Sequence, residues 1–253
     1  MFALERQKRI MELLASEGAV SVSRLSVDLS VTEETVRRDL EKLEKQGSLK
    51  RTHGGAVPAD ENNTYEASLE KRKATNIEAK QKIAKLAAKE VKEGDTIFLD
   101  ASTTTFFMAK ELKTMRNITV ITNSLRVIVE LDNVEYIKVI SVGGVLSNNQ
   151  SFVGTLAENS IAKNYVASKI FFSSKGITAD VGILESNEQE CGIKQKMLKN
   201  SKYRYFLCDN SKIGGVGFVK LAQLDEIDCL ITDCEPDTEL TERFEELEVK
   251  VIY

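Results

Sequence analysis

Histidine occurs once in these 253 residues, at His53; there are two prolines and no tryptophan. A single histidine rules out a multi-histidine metal centre, and any serine-histidine-aspartate triad would have to use His53. The four cysteines, Cys191, Cys208, Cys229 and Cys234, contain no C-x-x-C pair, and even the closest two lack zinc-clip spacing. They read as buried, reduced thiols. No apolar run reaches the roughly 18 residues of a membrane span. The opening Met1-Phe2-Ala3-Leu4-Glu5-Arg6-Gln7-Lys8 has no apolar segment of the secretory type. The expectation is a soluble cytoplasmic chain without a membrane partner, metal or cofactor, which leaves metal-independent chemistry or binding.

A 42% hydrophobic content supports a real core. The length fits one large domain, or a small domain joined to a medium one. The formal net charge is −4, but it is unevenly placed. Residues 1–58 hold ten basic and nine acidic side chains, and within 35–53 six basic residues face three acidic ones. A basic stripe in an otherwise acidic chain is the footprint of a local polyanion contact.

The stripe lies on a recognisable pattern. Ile10, Leu13 and Leu14 give helical spacing over roughly 4–16, with Gly18 as a stop. Ser21 can cap a short second helix carrying Leu25 and Leu29, and Ser30-Val31 makes a tight break. Thr32 can cap a third helix over about 32–46, with Glu33 and Glu34 suiting its dipole and Gly47 closing it. A full capping box is missing, because Thr35 stands where Glu or Gln would. Val36, Leu40 and Leu43 mark its core face, and Arg37, Arg38 and Lys42 fall off that face toward solvent. Two short helices and a tight turn match a helix-turn-helix, with the third helix for the major groove. Ser48-Leu49-Lys50-Arg51-Thr52 followed by His53-Gly54-Gly55-Ala56 reads as a hairpin wing. Gly54-Gly55 allows the positive φ of a tight turn, and Lys50 and Arg51 can meet phosphates.

The run Thr35-Val36-Arg37-Arg38-Asp39-Leu40, then Leu43, then Arg51-Thr52-His53-Gly54-Gly55-Ala56, resembles the DNA-binding domain of the DeoR/GlpR family of bacterial transcription regulators. The resemblance implies DNA contact by Thr32, Thr35, Arg37 and Arg38 on the helix and by Arg51 and His53 in the wing. Arginine can pair with guanine or grip phosphate, and threonine can reach a base edge or a thymine methyl.

Pro58 opens a polar stretch that reads as a hinge, so the expected boundaries are 1–58, a linker over 59–75, and 76–253. Ile77, Ile83, Ala84, Leu86, Ala87 and Val91 predict an amphipathic helix ending at Gly94. Seven apolar runs then alternate with helical stretches: 96–99, 118–121, 136–140, 169–172, 203–207, 229–231 and 249–252. Near-continuous apolar strands between helices predict an α/β domain with a mainly parallel sheet.

Ligands of such sheets bind outside the carboxyl ends of the strands. The loops expected there are polar: Asp100, Ser102, Thr103, Thr104 and Thr105; Thr122 and Asn123; Gly143; Lys175; Asp209 and Lys212. A hydroxyl-rich loop entering a helix is a ready anion site. Lys175 and Lys212 can neutralise a phosphate, and Asp100 and Asn123 can bind sugar hydroxyls. These loops, with Ser151-Phe152-Val153-Gly154 and Ile231-Thr232-Asp233, are similar to the sensor domain of the same family. The resemblance implies a Rossmann-like fold akin to ribose-5-phosphate isomerase and CoA transferases. Many relatives carry glycine where Ser102 stands, and a serine there is strained if its φ is positive.

The expectation is a transcriptional repressor of a carbohydrate operon. Its partners would be operator DNA, a phosphorylated sugar effector and further copies of itself, as a dimer or tetramer. Activation by the same architecture is an alternative. So is an isomerase-like enzyme using Asp100, Glu188 or Asp209 as base, or a constitutive DNA-binding protein with an inert α/β body.

Overall fold

A computed structural model describes residues 3–17, 19–52, 54–58, 69, 72–215, 217 and 219–253. They form two compact units, Met1–Thr75 and Asn76–Tyr253.

The first unit begins with α1 (Ala3–Glu17), β1 (Val20–Ser21) and α2 (Val22–Asp28). It continues with α3 (Glu33–Lys45), β2 (Leu49–Arg51) and β3 (Gly55–Pro58). The helix starts follow local capping chemistry. Ser21 Oγ accepts from the Arg24 N–H at 3.2 Å, and Thr32 Oγ1 from the Thr35 N–H at 3.3 Å. Ser30, at φ 52, makes the break between α2 and α3. Ile10, Leu14, Leu25, Leu29, Val36, Leu40 and Leu43 bury the three helices against one another, with Leu49 and Ala56 closing the core from the strands.

The wing is a three-stranded antiparallel sheet ordered β1-β3-β2, one strand more than a hairpin. Gly54 and Gly55 are not needed for a left-handed turn, since neither has a positive φ. Gly55 pairs with Ser21, and a Cβ there would lie 1.8 Å from the Val20 carbonyl oxygen. Glycine is required by close approach of β1, not by turn conformation. Gly18 and His53 lie outside the described residues, as do 59–68, 70 and 71 of the hinge expected over 59–75.

The second unit contains seven strands in one sheet, all neighbours parallel. They are β4 (Thr96–Leu99), β5 (Ile118–Thr122), β6 (Ile137–Ser141), β9 (Ala167–Phe172), β12 (Ser201–Leu207), β14 (Cys229–Ile231) and β15 (Lys250–Ile252). Their order is β15-β14-β12-β9-β4-β5-β6. Side chains alternate between faces, as a sheet covered on both sides requires. Ile97, Leu99 and Phe171 pack with α4 (Ile77–Lys89), α5 (Thr103–Leu112) and α6 (Leu125–Leu131). Phe98, Ile170 and Phe172 pack with α7 (Thr155–Asn164), α8 (Glu188–Lys199) and α9 (Thr238–Glu246).

The chain starts mid-sheet at β4, runs outward through β5 and β6, and returns to place β9 on the other side of β4. That reversal makes a topological switch point between β4 and β9, where the loops leaving the two strands diverge. Short antiparallel pieces complete the unit: β7 (Val145–Leu146) with β8 (Phe152–Val153), and β10 (Gly176–Thr178), β11 (Gly182–Glu185) and β13 (Val219–Ala222).

Two further expectations fail in detail. Ile77 is 41% exposed, because it is the first residue of α4 and extends past the packed stripe of Ile83, Ala84 and Ala87. Cys234 is exposed in the loop after β14, whereas Cys191, Cys208 and Cys229 are buried. Burial pushes the Cys191 thiol up to about 11 and those of Cys208 and Cys229 to about 12, so all three stay protonated at neutral pH.

Gly55→Ala tests the wing. Forcing a methyl group against the Val20 backbone should cost the first unit about 1–3 kcal/mol, as overpacking does elsewhere. Urea denaturation followed through the helical signal measures this; an unchanged midpoint would show that β1 does not pack on β3.

Candidate functional site

The third helix presents its cations to solvent, as its periodicity predicts. The Arg37 and Arg38 side chains are 52% and 75% exposed, and Lys42 and Arg51 are exposed as well. Arg37 Nη2 donates to Glu33 at 2.7 Å and Arg38 Nε to Glu34 at 3.2 Å, one turn back. Exposed pairs of this spacing contribute only about 0.3–0.5 kcal/mol, so a nucleic-acid phosphate can displace them. Thr32 and Thr35 share a hydroxyl contact of 2.9 Å at the helix start. Thr32 is thus engaged as a cap, with Thr35 half-buried beside it.

Asp39, read from sequence only as part of a motif, is a structural residue. It is 3% exposed and accepts from Arg6 Nε at 2.7 Å and Gln7 Nε2 at 3.0 Å, fastening α1 to the third helix. Its position carried the signal: 39 lies three residues after Val36, on the buried stripe, where a carboxylate demands a partner.

In the second unit, the parallel strands place all the polar loops on one edge. Asp100 stands at its centre. Its Oδ1 accepts from the Ser102 N–H at 3.1 Å and the Thr105 hydroxyl at 2.8 Å. Its Oδ2 accepts from the Ser173 N–H at 3.2 Å and lies 3.2 Å from Lys194 Nζ. These donors saturate a fully buried carboxylate, so Asp100 joins the loops after β4 and β9 across the switch point. It has no capacity left for a sugar hydroxyl, which corrects the sequence expectation.

Lys194, on the core face of α8, was missed. Besides Asp100 it pairs with Glu185 and donates to the Ser173 carbonyl at 2.7 Å. Burial opposes its charge, but Glu185, Asp100 and Glu190 more than offset that and hold the ammonium above the ordinary lysine value. Glu190, accepting from Ser151 Oγ and Asn149 Nδ2, is pushed up by burial. A lysine at helical spacing from Cys191 and Met197 was the available sign.

Ser102 has φ −69 and caps α5 by accepting from the Thr105 N–H at 3.2 Å, so serine carries no backbone strain here. Thr103 is buried in the first turn of α5, whose N–H groups end at this edge. Thr122 is internally committed, donating to the Leu99 carbonyl at 2.7 Å and accepting from the Ser124 N–H at 3.0 Å. Asn123 Nδ2 donates to the Phe152 carbonyl at 3.3 Å. Two buried polar atoms, Asn123 Oδ1 and Thr104 Oγ1, have no hydrogen-bond partner. Arg126, also missed, is buried, donates to the Ala101 carbonyl at 2.7 Å and lies over the Phe106 ring.

Gly143 takes φ +68 in the exit from β6. Lys175 is half-buried in the loop after β9. Lys212 Nζ donates to Ser173 Oγ at 2.6 Å and sits 3.9 Å from Asp209 Oδ2. Burial pushes Asp209 up, but Lys212, Ser211, Asn76 and Lys80 outweigh it and keep the carboxyl below its ordinary value. Glu188 is exposed in the first turn of α8. Among the described residues, no three His, Cys, Asp or Glu side chains are grouped to hold a metal, and no helix is long and apolar enough to cross a membrane.

Comparison with known proteins agrees with this layout. Residues 6–62 match the DeoR-like helix-turn-helix domain and residues 75–234 the DeoR C terminal sensor domain. The chain is 44% identical over 252 residues to the uncharacterized HTH-type transcriptional regulator YulB of Bacillus subtilis, across 99% of this chain and 96% of that one. It is 37% identical over 239 residues to the lactose phosphotransferase system repressor of Streptococcus mutans, across 93% and 94% of the two chains. Among solved structures, ribose 5-phosphate isomerase A from Methanocaldococcus jannaschii aligns over 55% of each chain at 18% identity with a TM-score of 0.42. Fold and motifs define a winged helix-turn-helix protein with a parallel α/β sensor domain. The chain belongs to the DeoR family of transcriptional regulators.

Replacing Lys194 by Met should destabilise the second unit by roughly 3–5 kcal/mol at neutral pH, since two buried carboxylates lose their cation. Because the folded value of Lys194 is raised, its own contribution is complete at neutral pH and is lost only in alkali. Urea midpoints of the wild type and the variant at neutral pH measure the loss; an unchanged midpoint would remove the charge cluster as a source of stability.

Proposed function

We propose that this chain is a cytoplasmic transcriptional repressor of a carbohydrate operon, released from or held on its operator by a phosphorylated sugar. The third helix enters the major groove, with Arg37, Arg38 and Lys42 on bases and phosphates and Arg51 and His53 at the flanking backbone. The solvent-facing cations and their weak tethers to Glu33 and Glu34 support this. The chain works as a homo-oligomer, which matches two half-sites on DNA. Exposed Val129, Val145, Leu156 and Val166 on the second unit provide apolar surface for self-association.

The observation that carries the sensor half is the pair of orphaned polar atoms, Thr104 Oγ1 and Asn123 Oδ1, on a carboxyl edge that also holds Lys175 and Lys212. A buried polar atom without a partner costs about 1–3 kcal/mol. A polyhydroxy ligand would satisfy both, and its phosphate would meet the lysines and the N-terminus of α5. Binding without turnover fits the carboxylates available. Asp100 is saturated by donors, and Asp209 is held below the range of a base poised for neutral pH.

Arg38→Ala should weaken operator binding by about 1–3 kcal/mol, roughly 5–150-fold, in fluorescence anisotropy at fixed salt. Unchanged affinity would remove it from the interface. A panel of sugar phosphates and their unphosphorylated parents, titrated in the same assay, tests the sensor half. A phosphorylated compound should shift affinity while its parent does not, and Lys212→Ala should raise the concentration required by about tenfold or more. A panel without effect would overturn the sugar-phosphate reading.

A further inference from the structure

Asn76 is the first residue of the second unit and stands directly before α4. An asparagine at that position ordinarily has extended backbone and caps its own helix. Asn76 does neither: its φ is 52 and ψ 42, and its side chain makes no cap. Its amide is turned the other way. Nδ2 donates to Asp209 Oδ1 at 3.0 Å and to Ser211 Oγ at 2.8 Å, in the loop leaving β12. Ser211 Oγ donates in turn to the same Oδ1.

Asp209 is 2% exposed, and its other oxygen faces Lys212, which donates to Ser173 beside the switch point. The same helix is gripped a second time, near its middle. Lys82 Nζ donates to the Asp233 carbonyl at 2.8 Å, and Asp233 Oδ1 accepts from the Asn210 N–H at 2.8 Å. A short polar chain thus runs from Ser173 through Lys212 and Asp209 to the residue at which the hinge segment joins the sensor domain.

We propose that Asn76 is a positioning residue that couples occupancy of the effector edge to the segment leading to the DNA-binding unit. The proposal rests on the phosphorylated-metabolite reading above. An anion arriving at Lys212 draws that ammonium away from Ser173 and weakens its attraction to Asp209. The buried carboxylate then leans more on the donors of Asn76 and Ser211 and on the remaining cation, Lys80, so the hold on Asn76 differs between empty and occupied edges. A ligand alters an equilibrium only through such a difference between states.

The test uses the full chain and a duplex selected by the wild-type protein from random sequences. Operator affinity is measured with inorganic phosphate, glycerol 3-phosphate, glucose 6-phosphate and fructose 1-phosphate. The affinity of each probe for the DNA-free chain is measured by calorimetry. Asn76→Gly keeps the left-handed backbone accessible and removes the amide. A probe that shifts wild-type operator affinity about tenfold should shift the glycine variant less than about twofold, with probe affinity kept within about threefold.

A glycine variant that responds like wild type overturns the coupling and leaves the sensor reading intact. One that loses probe affinity makes Asn76 a binding residue, which also overturns it. A wild-type chain that ignores every probe overturns the metabolite reading and the coupling with it. Asn76→Asp, which sets a second carboxylate against Asp209, decides the matter if the glycine variant folds poorly: its response to the probe should be lost, and an undiminished response overturns the proposal.

Discussion

The carboxylate of Asp100 is fully buried at the point where the sheet reverses its winding, and the arrangement of the sensor edge depends on it. With the Ser102 and Ser173 N–H groups, the Thr105 hydroxyl and the Lys194 ammonium around it, it binds two loops that diverge from adjacent strands. A charge in this position is expensive to desolvate and is tolerated only when every lone pair is met. That requirement accounts for a lysine on the core face of α8 and for the cap by Ser102. Burial pushes the Glu190 carboxyl up while Lys194 pulls it down, so the same ammonium bears on a third buried carboxyl.

The same constraint operates at smaller scale in the first unit. Asp39 is buried with Arg6 and Gln7 and sets α1 against the helix that carries Arg37 and Arg38. Rigidity below the helix and weak, exposed ion pairs above it suit a surface meant to exchange partners. The buried contact is hard to break, whereas the exposed pairs give way to any better anion.

The sensor edge contrasts with this fully satisfied foundation. Both oxygens of Asp100 are engaged, yet Thr104 Oγ1 in the first turn of α5 and Asn123 Oδ1 in the loop after β5 are left without a hydrogen bond. Unmet hydrogen-bonding capacity on a rigid support is what a binding site for a hydroxylated ligand requires. Lys212, held by one hydroxyl and a distant carboxylate, is the cation on this edge with the loosest described contacts of the Ser173 cluster.

All seven principal strands, the two caps of the DNA-binding unit and the solvent face of the third helix were legible in the sequence. These follow from local periodicity and from side chains acting on their own backbone, and neither needs distant partners. The short antiparallel strands β7, β8, β10, β11 and β13 were not legible, because two to four residues carry too little pattern. Tertiary structure alone decided that Asp100 is an anchor and not a ligand group, and that Gly55 serves close approach instead of a turn. It also decided that Asp39 and Lys194 are buried partners, and that Asn76 turns from its own helix to Asp209. In each case a side chain's role is set by a residue far away in the chain, and only folding brings that residue within hydrogen-bonding distance.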